Sequence, residues 1–203
     1  MSHAGEACVG THAPGEGDVA VLRPSFGRES RGGGLWLAGG AGDGVARGRK
    51  GQSRHLAARG YFGVVAWHNK TAVNLGTLWR SASVFGAAFI GTIGRRYQRQ
   101  SSDTMLTPRH TPLFHWDDEA DFWRHVPDGC QPVAVEIAEG ARDLTTFRHP
   151  QSAVYVLGPE DGSLPTEIMG RCSCVARIPG NFCLNLAVAG SIVLYDRIAK
   201  AIR

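Results

Sequence analysis

Scarcity bounds the reading first. No stretch of the 203 residues reaches the roughly 18 consecutive apolar residues that a membrane-spanning helix needs. No basic segment followed by an apolar one stands where a secretory signal would be read. The expectation is a soluble, cytoplasmic protein with no membrane partner. Cysteine is sparse: Cys8, Cys130, Cys172, Cys174 and Cys183 make an odd count without the spacing of a disulfide framework. Reduced thiols are the simplest account. Cys172 and Cys174 form C-x-C with no second pair and no neighbouring His pair, so no metal site is expected. Neither G-x-x-x-x-G-K-[ST] nor a clean G-x-G-x-x-G occurs, which argues against nucleotide-binding proteins built on those phosphate cradles.

What is present is an ordinary globular composition, 43% hydrophobic and 20% charged, with a formal net charge of +4. The mild basic excess suits a polyanionic partner and says nothing about fold. Glycine is unevenly spread: residues 1–60 hold 15 of the 27. No sustained period of 2 or 3.6 runs through that segment, so it buries too little surface to offset its ordering entropy. It reads as a Gly/Arg-rich flexible tail, residues 1–59, ahead of one domain, residues 60–203.

From Tyr61 the pattern is regular. Apolar runs at Tyr61–Trp67, Ala87–Ile93, Leu113–Trp116, Pro132–Ala138, Ala153–Leu157 and Val175–Ile178 read as strands. Helical spacing runs from Thr71 to Phe85, with Gly86 as its stop. Asp117–His125, Pro165–Gly170 and Leu184–Ile202 complete the helices, the first opened by acids that favour a helix N-terminus. The strands are apolar on both faces. That predicts an α/β fold: a mostly parallel sheet with helices on both faces.

In open α/β sheets ligands sit beyond the carboxyl ends of the strands, and three segments there are unusual. After the first strand comes Asn74-Leu-Gly76-Thr-Leu-Trp-Arg80. Glycine inside a helix costs about 1 kcal/mol against alanine, so Gly76 implies close approach of another backbone or a ligand, or else a tolerated glycine beside an exposed arginine. After Ala153–Leu157 comes Gly158-Pro-Glu160-Asp-Gly162-Ser-Leu-Pro165, a stiff turn in which Gly158 lets a ligand lie against the main chain. A plain surface turn has the same residue types. After Val175–Ile178 comes Pro179-Gly-Asn-Phe-Cys183-Leu184-Asn185-Leu-Ala-Val-Ala189. Here Asn185 reads as a buried amide needing hydrogen bonds, for a ligand or for a cap within the fold.

Asn-x-Gly-x-x-x-Arg, then Gly-Pro-Glu-x-Gly…Leu-Pro, then Ile-Pro…Leu-Asn-Leu-Ala-x-Ala, in this order, resembles the SpoU/TrmH branch of the SPOUT RNA methyltransferases. The resemblance spans residues 61–203. It implies a C-terminal trefoil knot and a homodimer whose sites are each completed by the partner. It implies S-adenosyl-L-methionine as cofactor, held by Glu136, Gly158, Gly162, Ile178, Cys183 and Leu184. The reaction implied is methyl transfer to a ribose 2′-hydroxyl of RNA, tRNA favoured over rRNA. Asn74, Arg80, Glu160 and Asn185 match its polar catalytic positions. An arginine stays protonated, so Arg80 suits phosphate fixing or electrostatic activation of the hydroxyl better than proton removal. Arg95, Arg96, Arg99 and Arg109 lie in the basic stretch expected to meet RNA, with Tyr97 or His110 available to stack on a base. Cys183 stands where the family commonly has serine, and Ser163 is an insertion in the second motif. A non-catalytic RNA-binding relative and a base-nitrogen RNA methyltransferase are the alternatives. The small-residue face of the last helix, with the first helix, is the expected dimer surface.

Overall fold

A computed structural model describes residues 60–159 and 161–201. The expected tail, residues 1–59, and Glu160 lie outside the described residues. Seven strands are found: β1 (Phe62–Trp67), β2 (Phe89–Ile93), β3 (Leu113–Trp116), β4 (Gln131–Val135), β5 (Arg142–Asp143), β6 (Ala153–Leu157) and β7 (Cys174–Arg177). Four helices accompany them: α1 (Ala72–Val84), α2 (Glu119–His125), α3 (Thr166–Arg171) and α4 (Leu186–Ala201). The strands form one sheet in the order β3-β2-β1-β6-β4-β7-β5, and every pairing is parallel.

The alternation of side chains along a strand divides the core in two. Val64 and Ala66 of β1 and Tyr155 and Leu157 of β6 face α1 and α4, against Leu75, Leu78, Trp79, Leu186 and Leu194. Val65, Val154 and Val156 face the other way, toward Phe122 of α2 and Ile168 of α3. Each such side chain taken from water contributes about 1.5–3 kcal/mol. Both faces of the sheet are thus covered, as the apolar runs predict.

Helix ends follow local chemistry. Asp118 caps α2 by accepting from the Asp121 N–H at 2.7 Å, with Glu119 and Asp121 in the first turn and Arg124 and His125 in the last. Gly86 follows α1 with φ +80°, a conformation glycine adopts without strain. Gly76 is buried in α1 because another segment crosses it: a Cβ there would lie 2.2 Å from Ser102 Oγ and 2.9 Å from the Asp103 nitrogen. The close approach read from the sequence is therefore one of backbone within the fold.

Two expectations need correction. The small-residue face of α4 packs within the subunit: Gly190 lies against Leu78 of α1, where a Cβ would meet Leu78 Cδ1 at 2.4 Å, and Ser191 Oγ donates to Ser81 Oγ at 2.7 Å. What α4 leaves exposed is larger: Val188, Ile192 and Tyr195, one face at i, i+4 and i+7. The basic stretch after β2 is also more built than a solvated loop. Tyr97 is buried, packs edge-on against Trp79 with centroids 6.1 Å apart, and points its hydroxyl at Asp103. Burial, then the Asp103 charge, push the Tyr97 phenol up to about 12. The buried Asp103 carboxylate in turn accepts from the Thr107 N–H and hydroxyl. Tyr97 has no exposed face to offer a base.

Candidate active site

Parallel strands put all their carboxyl ends on one edge, and the chain leaves β4, β6 and β7 there into three loops. These loops and the start of α4 enclose a cavity of about 380 Å³. Its walls include Val135 and Glu136 beyond β4, Leu157 to Pro159 and Asp161 to Ser163 beyond β6, and Ile178 and Phe182 to Leu184 beyond β7, with Leu186 and Ala189 from α4. Glu136, Gly158, Gly162, Ile178, Cys183 and Leu184, far apart in sequence, thus share one wall surface.

The walls mix apolar side chains with polar ones, Glu136, Asp161 and Ser163 among them. β4 ends at Val135, three residues short of the strand expected from sequence, so Glu136 opens the loop. Its carboxylate accepts from the Ile137 N–H at 2.8 Å and the Leu164 N–H at 2.9 Å. It thereby pins the 158–164 turn to β4. A Cβ on Gly158 would lie 3.2 Å from that carboxylate and 3.3 Å from Leu164. The glycine keeps the turn tight against it. Cys183 and Leu184 are exposed along the wall, and Phe182 is 86% exposed, far more than an aromatic ring ordinarily is.

Asn185 is exposed, against the buried amide expected. Its Oδ1 accepts from the Ala187 N–H at 2.9 Å and its carbonyl from the Ala189 N–H, so it caps α4. Of the apolar neighbours that suggested burial, Leu186 and Ala187 turn into the core, while Leu184 and Val188 stay exposed. Arg80 is exposed on α1, eight residues past the helix start, about 12 Å along the axis from the sheet's carboxyl edge. It does not line its own subunit's cavity. Asn74 is half-buried in the first turn of α1. Val73, Thr77, Arg80 and Val84 share one exposed stripe at helical spacing.

The arginines after β2 divide. Arg95 Nη1 donates to the Lys70 carbonyl at 2.7 Å, and Arg96 faces Asp117 at 3.7 Å. Arg99 and Arg109 are exposed. Sequence reasoning missed Lys70 and Asp161, whose side chains meet at 2.5 Å and join the loop after β1 to the 158–162 turn. The Lys70 ammonium holds the Asp161 carboxyl below the usual carboxylate range. Two residues 91 apart leave no local signal of such a pair.

Residues 61–195 match the model of the SpoU rRNA Methylase family, about two-thirds of the chain and every residue of the cavity wall. The chain belongs to the SpoU rRNA methylase family. An AdoMet-bound rRNA methyltransferase from Sinorhizobium meliloti is similar in structure, with 29% identity and a TM-score of 0.63 over 70% of this chain and 57% of that one. A protein studied for 2-OH methylation of C/U34 on tRNA is 25% identical, with a TM-score of 0.60 over 68% of this chain and 94% of that one. The TrmH/SpoU tRNA modifying enzyme of A. aeolicus, at 19% identity and a TM-score of 0.63 over 72% of this chain and 78% of that one, shares the fold. The chain spans 57% of the length of the Sinorhizobium structures it resembles. A search of curated proteins finds no match.

Proposed function

We propose that this SpoU-family chain uses S-adenosyl-L-methionine to methylate a ribose 2′-hydroxyl of RNA, tRNA favoured over rRNA. The observation that carries the reading is the cavity at the carboxyl edge, where three loops expected to hold one cofactor converge. Its volume of about 380 Å³ falls in the range of small-ligand sites. Its walls fit the group: Gly158 and Gly162 open main chain to a ligand, and Leu157, Ile178, Leu184 and Leu186 supply apolar surface. Glu136 is already bonded to two N–H groups and acts by shaping the wall. When bound, the cofactor supplies a methyl group made electrophilic by its sulfonium. The chain's own task is to orient a poor nucleophile, the ribose hydroxyl, toward it.

Arg80 is the group suited to that task, through phosphate fixing or electrostatic activation. Its position supports a homodimer in which it serves the partner's cavity. Around it lies an apolar surface: Val73 (51% exposed) and Val84 (56%) on α1, with Val188, Ile192 and Tyr195 (63%) on the adjoining α4. Contiguous exposed apolar residues of this kind mark association surfaces. Ile192→Glu is expected to give monomers by sedimentation and to abolish turnover. A fully active monomeric wild type would overturn this part. Asn185 is assigned an orienting role beside its capping bond, and Glu160 and Asn74 are assigned orienting roles by their motif positions. Arg95, Arg96, Arg99 and Arg109 are proposed to meet the RNA backbone. The trefoil knot belongs to the same reading, and so does a cytoplasmic site of action.

Nucleoside mass spectrometry of RNA from cells lacking the gene tests the reading. Loss of one 2′-O-methylated nucleoside, in the tRNA fraction, is expected. Loss of a base-methylated nucleoside instead would move the assignment to a base nitrogen. An unchanged methylation profile in cells that normally express the protein would overturn it in favour of a non-catalytic RNA binder.

A further inference from the structure

We propose that Lys70 and Asp161 form a positioning pair that sets the shape of the cofactor cavity, and that Arg95 holds the lysine in place. The inference rests on the cofactor reading above. Three observations meet in it. Asp161 lines the cavity and sits in the turn beyond β6, directly after Glu160. The Lys70 Nζ donates to Asp161 Oδ2 at 2.5 Å from the loop after β1, two residues before α1 begins. Arg95 Nη1, from the loop after β2, donates to the Lys70 carbonyl at 2.7 Å. Three adjacent loops at one edge of the sheet are therefore connected in series: β2 loop to β1 loop to cofactor turn.

The turn needs such a contact. On its inner side it is fastened by Glu136, which accepts from the Leu164 N–H. Asp161, Gly162 and Ser163 are exposed, and none of them belongs to a strand or helix. Lys70 reaches it from outside. Both side chains are more than half exposed, 66% and 56%, so the pair is screened and contributes little to global stability. Its effect is local: it biases where a short turn sits, and that turn is one wall of the cavity. The series also gives Arg95 a role apart from RNA. One of its donors serves the Lys70 carbonyl, while its other N–H groups remain for a phosphate. A phosphate that drew Arg95 away would move the same loop that carries Lys70.

The test is calorimetric titration of the full chain with S-adenosyl-L-methionine, at low and high salt, beside thermal melting without ligand. Lys70→Ala and Asp161→Ala are each expected to weaken binding about two- to fivefold, in line with exposed ion pairs. Their melting temperatures should stay within about a degree of the wild type, since exposed substitutions of this kind barely alter stability. The double variant should bind no more weakly than either single one, as expected of two partners in one interaction. The swapped chain, Lys70→Asp with Asp161→Lys, should recover most of the affinity. High salt should narrow the gap between wild type and single variants. Arg95→Met is expected to reproduce the Lys70→Ala loss, and to add nothing to it when combined. Additive losses, a swap that fails to recover, or single variants that bind as tightly as the wild type would overturn the pair while leaving the cofactor reading intact. No binding by the unaltered chain would overturn both.

Discussion

Two of the cavities along the sheet, one at each end of its strands, differ in how their walls use hydrogen bonds. At the amino ends of β1 and β6 lies a space of about 460 Å³, bordered by Phe62, Phe85, Phe147, His149, Arg197 and Lys200. Its polar groups are bonded to one another. His149 contacts the Tyr155 hydroxyl at 2.6 Å and Asp196 Oδ2 at 2.8 Å. Arg197 donates to the Pro150 and Gln151 carbonyls and to the Tyr155 hydroxyl, and stacks over Phe62 at 5.0 Å. Lys200 donates to Asp196 and to the Leu144 and Phe147 carbonyls. The smaller cavity, at the carboxyl ends, joins glycine backbone and apolar side chains to two bonded carboxylates, Glu136 and Asp161, which fasten the turn that forms one wall. Cavity size therefore does not identify the site. Donors and acceptors already satisfied inside the protein fasten a joint, here the 144–151 loop to α4. Walls with main chain left open are what a ligand can use.

The contrast predicts opposite phenotypes at the two ends. The largest effect is expected at Arg80, on the side of the proposed active site. Arg80→Ala should lower turnover at least about a hundredfold, the scale of losing an electrostatic contact made in the transition state. Affinity for S-adenosyl-L-methionine and melting temperature should change little, because Arg80 is exposed and lies outside its own subunit's cavity. Single-turnover kinetics beside calorimetry reads both. A variant that binds cofactor much more weakly would move Arg80 from the reaction to the cavity.

Asp196→Ala should do the reverse. It strips acceptors from His149, whose side chain is only 6% exposed, and from Lys200. Leaving a buried donor unpaired costs about 1–3 kcal/mol. For a folded domain of this size that is a fall of about 3–10 °C in melting temperature. Turnover below that temperature should be unaffected. An Asp196→Ala chain of normal stability and impaired turnover would erase the distinction between the two ends. A smaller effect is expected from Gly158→Ala, back at the carboxyl edge. The added Cβ would press on Glu136 Oε2 at 3.2 Å and Leu164 at 3.3 Å, so the turn must give by a few tenths of an ångström. Cofactor affinity should fall several-fold, with a stability change of about 1 kcal/mol. Unchanged affinity would mean that the turn adapts without moving the wall.

The layered fold and the loops at its carboxyl edge were legible because they rest on local periodicity and on turn chemistry. β3 and β6 begin and end where the apolar runs do, and the Gly76 contact follows from one misplaced glycine. What was illegible is relational. The strand β5 has two residues, too few to show a period. Tyr97 looks exposed amid arginines, yet Trp79 packs against its ring and Asp103 meets its hydroxyl, from two separate places in the chain. Asn185 has apolar neighbours in sequence, but the helix it caps turns only Leu186 and Ala187 inward and leaves Asn185 outside. The small residues of α4 pack tightly against a helix. Sequence spacing does not say whether that helix belongs to the same chain, and here it is α1.

The finest test of the amino-end joint is pH. Asp196 is an acceptor, so His149 Nε2 carries the proton between them, and a neutral ring leaves Nδ1 to accept from the Tyr155 hydroxyl. Arg197 donates to that same hydroxyl, so its own hydrogen is committed to His149. A second proton on the ring would confront Tyr155 with two donors and leave its hydrogen without an acceptor. Burial, the largest influence, holds the His149 pKa below its ordinary value; Asp196 pulls upward, and Arg197 and Lys200 push down again. The unfolded chain therefore binds a proton more readily at this site than the folded one does. Stability from the joint should be fully present above the ordinary histidine value of about 6.5 and decline as the pH falls below it. Melting curves of the wild type and His149→Gln, which cannot titrate, should converge as pH falls from neutral toward 5. Curves that diverge as the pH falls would show that the Asp196 attraction outweighs burial and that the joint is an ion pair instead of a neutral relay, and parallel curves would show that the two influences cancel.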